Sequence, residues 1–288
     1  NGAGTNNTVI AGNYIGTDAT GTVDRGNTTD GIRIEAGATG NRVGGTNVSE
    51  RNIISGNNAR GIVIQNSGTN NNTVQGNYIG TDVTGTAALG NSNAGVGIWG
   101  AAKNNIIGGT VAGAGNVISG NLGDGITISD AGTTGNQVLG NKIGVNATAT
   151  AKIGNGTQGI WIGGGASNIT IGGSAVGAGN IVGGSAYAGI EINGAATNLI
   201  TVQSNFIGTD AAGTLNLGNG NDGVLIANGA YGNLIGGVGA GEGNTIAFNG
   251  RDGVRIESTG GSGNRIQGNK IYSNTGLGIN LVGGTENS

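Results

Sequence analysis

Asp222 and Asp252 each head the phrase Asp-Gly-Val-x-Ile and lie 30 residues apart. Two carboxylates brought close together can share a proton, which raises one pKa, and such pairs perform acid–base work and glycoside hydrolysis. Asp18, Asp82 and Asp210 stand in a second constellation, Gly-Thr-Asp-x-x-Gly-Thr, whose carboxylate and hydroxyl oxygens are of the kind calcium takes. Trp99 and Trp161, the 2 tryptophans of the chain, offer flat faces for sugar rings. Histidine and cysteine are absent, which excludes imidazole catalysis, thiol chemistry, zinc sites and disulfides.

The elements that must position these residues are set by a repeat. Asn13, Asn77, Asn141, Asn205 and Asn269 are each 64 residues apart, with no insertion or deletion between them. A period this strict means one supersecondary unit stacked on copies of itself. Inside each unit three phrases occur twice: Gly-Ile/Val-x-Ile/Leu, Asn-x-Ile/Val, and a single apolar position such as Val43 or Val74. Segments this short, β-branched and punctuated by Gly and Asn, predict strands of two to five residues. Stacked in parallel, they make an all-β solenoid, a parallel β-helix of about nine coils and on the order of 43 Å long. From Gly31 to Gly61 is 30 residues and from Gly61 to Gly95 is 34, whereas Gly253 to Gly278 is only 25. Most coils therefore carry insertions, which form two loop walls at different corners.

This frame places the candidate residues. Asp222 and Asp252 fall on adjacent coils, ~5 Å apart. Ordinary Asp-Gly turn chemistry also accounts for both, with Arg251 and Arg255 beside them and Asp30 paired to Arg60 in the same column. Asp18, Asp82 and Asp210 are two coils apart, ~9.6 Å, too far to share an ion, and Asn146 replaces the acid in the third copy. They read as loop-stabilising acceptors, with calcium inside single loops the minor alternative. Asn13, Asn52, Asn77, Asn116, Asn141, Asn180, Asn205, Asn244 and Asn269 form one column, an asparagine ladder at a bend. The outward position beside it, Tyr14, Tyr78 and Phe206 among others, packs under inserted loops. Trp161 points outward where no loop belongs over it, which makes it the better sugar platform.

The phrases Gly-Asn-Tyr-Ile-Gly-Thr-Asp-Ala-Thr-Gly-Thr (12–22) and Asn-Val-Ile-Ser-Gly-Asn (116–121), with the ending Thr-Gly-Leu-Gly-Ile-Asn-Leu-Val-Gly-Gly (275–284), carry a resemblance. Over essentially its whole length the chain resembles right-handed parallel β-helix repeat proteins of the pectin-lyase-like superfamily. It is most similar to the Gly- and Asn-rich arrays of large bacterial secreted or surface proteins. The resemblance implies a right-handed coil, and a superfamily that includes lyases, hydrolases, epimerases and inert scaffolds. An enzyme like the pectate lyases would need a basic residue to abstract a proton and clustered carboxylates for calcium.

Composition narrows the function. With 12 basic residues and a formal charge of -3, the footprint of a nucleic-acid binder is missing. No apolar run reaches the ~20 residues of a membrane span. Gly makes up 68 residues, yet the apolar register is one no disordered chain has reason to keep. Residues 1–288 read as a single β-helix domain that opens in mid-repeat, a fragment of something larger. The expectation is a non-catalytic stalk or adhesive segment of a secreted or cell-surface protein. Its partner would be an extended polysaccharide or another surface protein, with no cofactor; the sequence does not set an oligomeric state. The alternative is a polysaccharide lyase or glycoside hydrolase acting along the rod.

Overall fold

The computed structural model describes residues 2–283; residue 1 and residues 284–288, counted in the β-helix above, lie outside the described residues. The strands assemble into three parallel sheets of nine strands each, and sheet neighbours are always one coil apart in sequence. The first sheet runs from Val9–Ile10 to Arg265–Gln267, the second from Tyr14–Ile15 to Lys270–Tyr272, and the third from Ile32–Glu35 to Ile279–Leu281. This is a parallel β-helix of nine coils.

Alternation along each strand decides what lies inside. In the third sheet Ile32 pairs with Ile62 and Ile34 with Ile64, both inward, while Arg33 and Glu35, which alternate with them, point out. Four columns of Ile and Val converge on one core that runs the length of the rod, among them Ile62, Ile64, Val74 and Ile79. Glycine guards the entrance to the third sheet because the chain passes close to the next coil there. A Cβ on Gly125 would stand 2.6 Å from the Gly159 carbonyl and 2.7 Å from the Ile143 methyl.

Tight corners leave backbone amides and carbonyls that no strand can pair, and buried groups of that kind must find partners. Asparagine supplies them. At the corner between the first and second sheets, Asn77 Nδ2 donates to Asn116 Oδ1 at 3.0 Å and to the Val43 carbonyl at 3.0 Å. The same Asn116 oxygen accepts the Asn77 backbone amide at 2.9 Å. The pattern runs unbroken from Asn13 to Asn269, linking all nine asparagines of the column.

Two further ladders occupy the other corners, where the sequence reading placed none. Asn41, Asn72, Asn105 and Asn136 are linked in one, which resumes at Asn233 and Asn264 after Ile169 and Ile200 interrupt it. The other joins Asn27, Asn57, Asn91, Asn121 and Asn155, then Asn219, Asn249 and Asn274. Ser185 interrupts this last ladder, and its buried hydroxyl has no partner.

A ladder that carries the corners should weaken where an amide is removed and strengthen where one is restored. Asn116→Ala is expected to lose about 1–3 kcal/mol, because it strands the Asn77 backbone amide. Ser185→Asn is expected to raise the melting temperature by rejoining Asn155 to Asn219. Thermal melts of both variants check this; a Ser185→Asn protein no more stable than the parent would remove the ladder from its assigned role.

Candidate functional site: a trough on the third sheet

The outward residues of the third sheet form a column in strict register: Arg33, Val63, Gly97, Thr127, Trp161, Glu191, Leu225, Arg255, Asn280. Beside it runs a second column in which Glu35 pairs with Gln65 and Gln65 with Trp99. Where the two tryptophans stand, a trough of about 620 Å³ opens, floored by Thr127 and Ser129 and flanked by Arg60, Asp124 and Gln158. Trp99 and Trp161 thus face one cavity from coils two steps apart, ~9.6 Å.

Glycine lets both indoles lie down on the sheet. A Cβ at Gly97 would come within 2.0 Å of the Trp99 ring, and one at Gly163 within 2.3 Å of the Trp161 ring. Trp99 is fixed further: its indole N–H donates to Gln65 Oε1 at 2.8 Å, and Gln65 Nε2 donates to Glu35 at 2.5 Å. The Arg60 guanidinium sits 4.7 Å from the centre of the Trp99 ring, a cation–π contact that fills part of that face. Trp161 has no such cation over it among the described residues, so it is the open platform. On its far side Gln158 Nε2 donates to Glu191 at 2.5 Å, and Asn193 Nδ2 donates to the other Glu191 oxygen at 2.7 Å.

The acids along this face are held by the backbone. Asp30 accepts the Arg60 amide at 3.1 Å, Asp124 the Gln158 amide at 3.2 Å, Asp222 the Asp252 amide at 3.1 Å and Asp252 the Leu277 amide at 2.7 Å. Each carboxylate therefore satisfies the same position one coil on. Asp30 is also bound to Arg33 at 2.5 Å, with Arg60 more distant at 3.9 Å. Asp222 and Asp252 do lie on adjacent coils, but proton sharing does not dominate their chemistry. Burial is the main force pushing the Asp222 carboxyl up, against the Asp252 amide and Arg251, with the Asp252 charge a smaller contribution. Burial pushes Asp252 up as well, yet Asn280 at 2.7 Å, the Leu277 amide and Arg255 at 3.3 Å hold it below the usual carboxylate range.

The Gly-Thr-Asp loops lie elsewhere, between the second and third sheets, and each acid closes its own loop. Asp82 accepts the Thr84 hydroxyl at 2.9 Å and the amides of Thr86 and Ala87 at 3.1 and 3.2 Å. Asp18 and Asp210 do the same for Thr22 and Val23 and for Thr214 and Leu215, and Asn146 for Thr150 and Ala151. Partial burial raises Asp18 and Asp82, but hydroxyl and amide donors outweigh it; for Asp210 the Leu215 amide is the strongest influence, and all three end below the ordinary value. Nowhere among the described residues do three acids gather at one point.

Gln65, Arg60, Gln158 and Thr127 were missed as site residues from sequence. The available signal was departure from the repeat: Trp99 stands where other copies have Glu35, Gly163 and Ala227, and Trp161 where they have Arg33, Gly97 and Leu225.

No family model matches this chain, and no curated protein matches it in sequence. Among solved structures it is similar to the periplasmic alginate epimerase AlgG, with a TM-score of 0.47 and 12% identity over 85% of this chain. It is also similar to the A-module of the mannuronan C-5 epimerase AlgE6 of Azotobacter vinelandii, with a TM-score of 0.46 and 16% identity over 97% of this chain. The chain spans 60% of the first and 71% of the second.

Two pH responses follow from the carboxylates. The loop acids have folded pKa values below their unfolded ones, so their stabilisation is present above the ordinary carboxylate range and is lost as pH falls through the folded values. On acidification, amide exchange at Thr22, Val23, Thr86, Ala87, Thr214 and Leu215 should speed up, while Thr150 and Ala151, held by Asn146, stay protected. Equal acceleration in all four loops would show that the carboxylates do not hold them. Asp222 has the opposite sign: its raised pKa makes ionisation destabilising above the unfolded carboxylate range. Asp222→Asn should therefore melt higher than the parent at neutral pH and lose that advantage in acid, as read from melts across pH.

Proposed function

We propose that the third-sheet trough binds an extended polysaccharide, and that the chain is a non-catalytic β-helix segment of a secreted or cell-surface protein, serving as stalk or adhesive surface. The observation that carries this reading is the pair of indoles laid on glycine two coils apart, with Thr127, Ser129 and Gln158 between them. Aromatic faces take the apolar faces of sugar rings, and hydroxyl and amide groups take their hydroxyls. A regular rod suits weak contacts summed along a polymer better than one deep pocket. The non-catalytic half of the reading rests on the acids: Asp124, Asp222 and Asp252 each accept an amide from the next coil, which leaves them poorly placed as a mobile acid or base.

A glycan array followed by calorimetric titration tests the proposal. Oligosaccharides are expected to bind in the millimolar range, roughly 4 kcal/mol, with affinity rising with chain length. Trp161→Ala should weaken binding by about tenfold, and no product should appear from polyuronates or neutral polysaccharides, with or without calcium. Tight binding of a monosaccharide that Trp161→Ala leaves unchanged would refute the trough. Cleavage that disappears in Asp222→Asn or Asp252→Asn would replace the reading with a lyase or hydrolase.

A further inference from the structure

A different face of the rod holds a second built cavity. Outside the second sheet, a cavity of about 350 Å³ is lined by Arg51, Tyr78, Val117 and Lys142 and roofed by the loop from Gly109 to Gly113. Arg51 lies over the Tyr78 ring, 4.0 Å from its centre, and its Nε donates to the Gly76 carbonyl at 3.3 Å. Lys142 is two coils beyond Tyr78 in the same column and donates to the Ala147 carbonyl. No carboxylate lines the cavity. The nearest acid in sequence, Glu50, is taken by Arg42 at 2.8 Å and by Asn47 at 3.0 Å.

Arg51 breaks the repeat: it stands where the other copies have Gly115, Gly179 and Gly243. Lys142 recurs as Lys270 but replaces the aromatic of Tyr14, Tyr78 and Phe206. The two cations, 91 residues apart in the chain, meet in one cavity. In the exposed roof the amides of Thr110, Val111, Ala112 and Gly113 have no protein acceptor among the described residues. The corresponding cavity further along the rod, lined by Phe206 and Lys270, keeps the aromatic and the lysine but has no arginine.

We propose that this cavity binds the oxyanion group, a carboxylate, sulfate or phosphate, of an acidic ligand, with Arg51 and Lys142 as the paired cations. Two like charges converging without a counter-charge are unfavourable until an anion enters, and guanidinium with ammonium is the donor set such groups take. Burial, and then the Arg51 charge, press the Lys142 ammonium toward its neutral form; an entering anion relieves the second of these directly. The cavity is independent of the indole trough, which lies on another sheet.

The test is an amide-resolved NMR titration with sodium sulfate, sodium phosphate and sodium acetate in turn, at constant ionic strength held with chloride. Saturable shifts are expected at residues 110–113, with the preferred probe naming the oxyanion. Arg51→Gly should weaken binding by about tenfold, and Arg51→Gly with Lys142→Tyr should abolish it. Both changes write in residues that other copies carry at those places, so the coils should stay folded, as a thermal melt checks. Trp161→Ala should leave the titration unchanged, which separates this site from the polysaccharide trough. Shifts that never saturate, or that persist in the double variant, would overturn the proposal.

Discussion

The structure depends on how a chain turns three corners in each coil without leaving peptide groups unpaired inside. Strands of two to four residues cannot satisfy the backbone at the bends, and an orphaned buried peptide group costs about 1–3 kcal/mol. The carboxamide answers this because it carries an acceptor and two donors in one plane. Its oxygen takes the backbone and side-chain amides of the asparagine on the preceding coil, while its own nitrogen reaches the next oxygen and a strand carbonyl of the preceding coil, as Asn116 and Asn141 show. Aspartate does related work on the third sheet, where it accepts the amide one coil on.

That division explains why the fold was so legible. The apolar columns and the ladder from Asn13 to Asn269 recur at fixed intervals, so stacking could be read from period alone. The other two ladders were also written in the sequence, two residues before Val43, Val74, Ile107 and Val138, and after the phrase Ile-Ser-Gly at Asn57 and Asn121. They were passed over because Ile169, Ile200 and Ser185 interrupt them, and because asparagine near glycine reads as turn chemistry.

The candidate sites were less legible for a physical reason. A site is built from residues that differ from their equivalents, and a search for sameness discards them. The outward position of Trp161 followed from strand alternation, but the glycine that lets its ring lie down, Gly163, acts through space rather than pattern. Arg51 and Lys142 could not be joined from sequence at all. Arg51 precedes its strand and reaches one coil over to Tyr78, a direction set by side-chain packing.

A fold held by backbone ladders, amide ladders and a buried apolar column places almost no demand on its outward side chains. Along one column of the third sheet the outward position is Arg33, Val63, Gly97, Thr127, Trp161, Glu191 and Leu225, with no change in register. Stability and surface chemistry are therefore separable here to a degree that ordinary globular cores do not allow, where side chains on several elements must fit one another. The consequence for reading such a chain is directional: the repeat identifies what holds the rod, and departures from it mark where the surface has been free to acquire chemistry. Departures scattered singly over the surface need no explanation. Those at Trp99 and Trp161, and at Arg51 and Lys142, converge on cavities from different coils, and that convergence is what separates a site from drift.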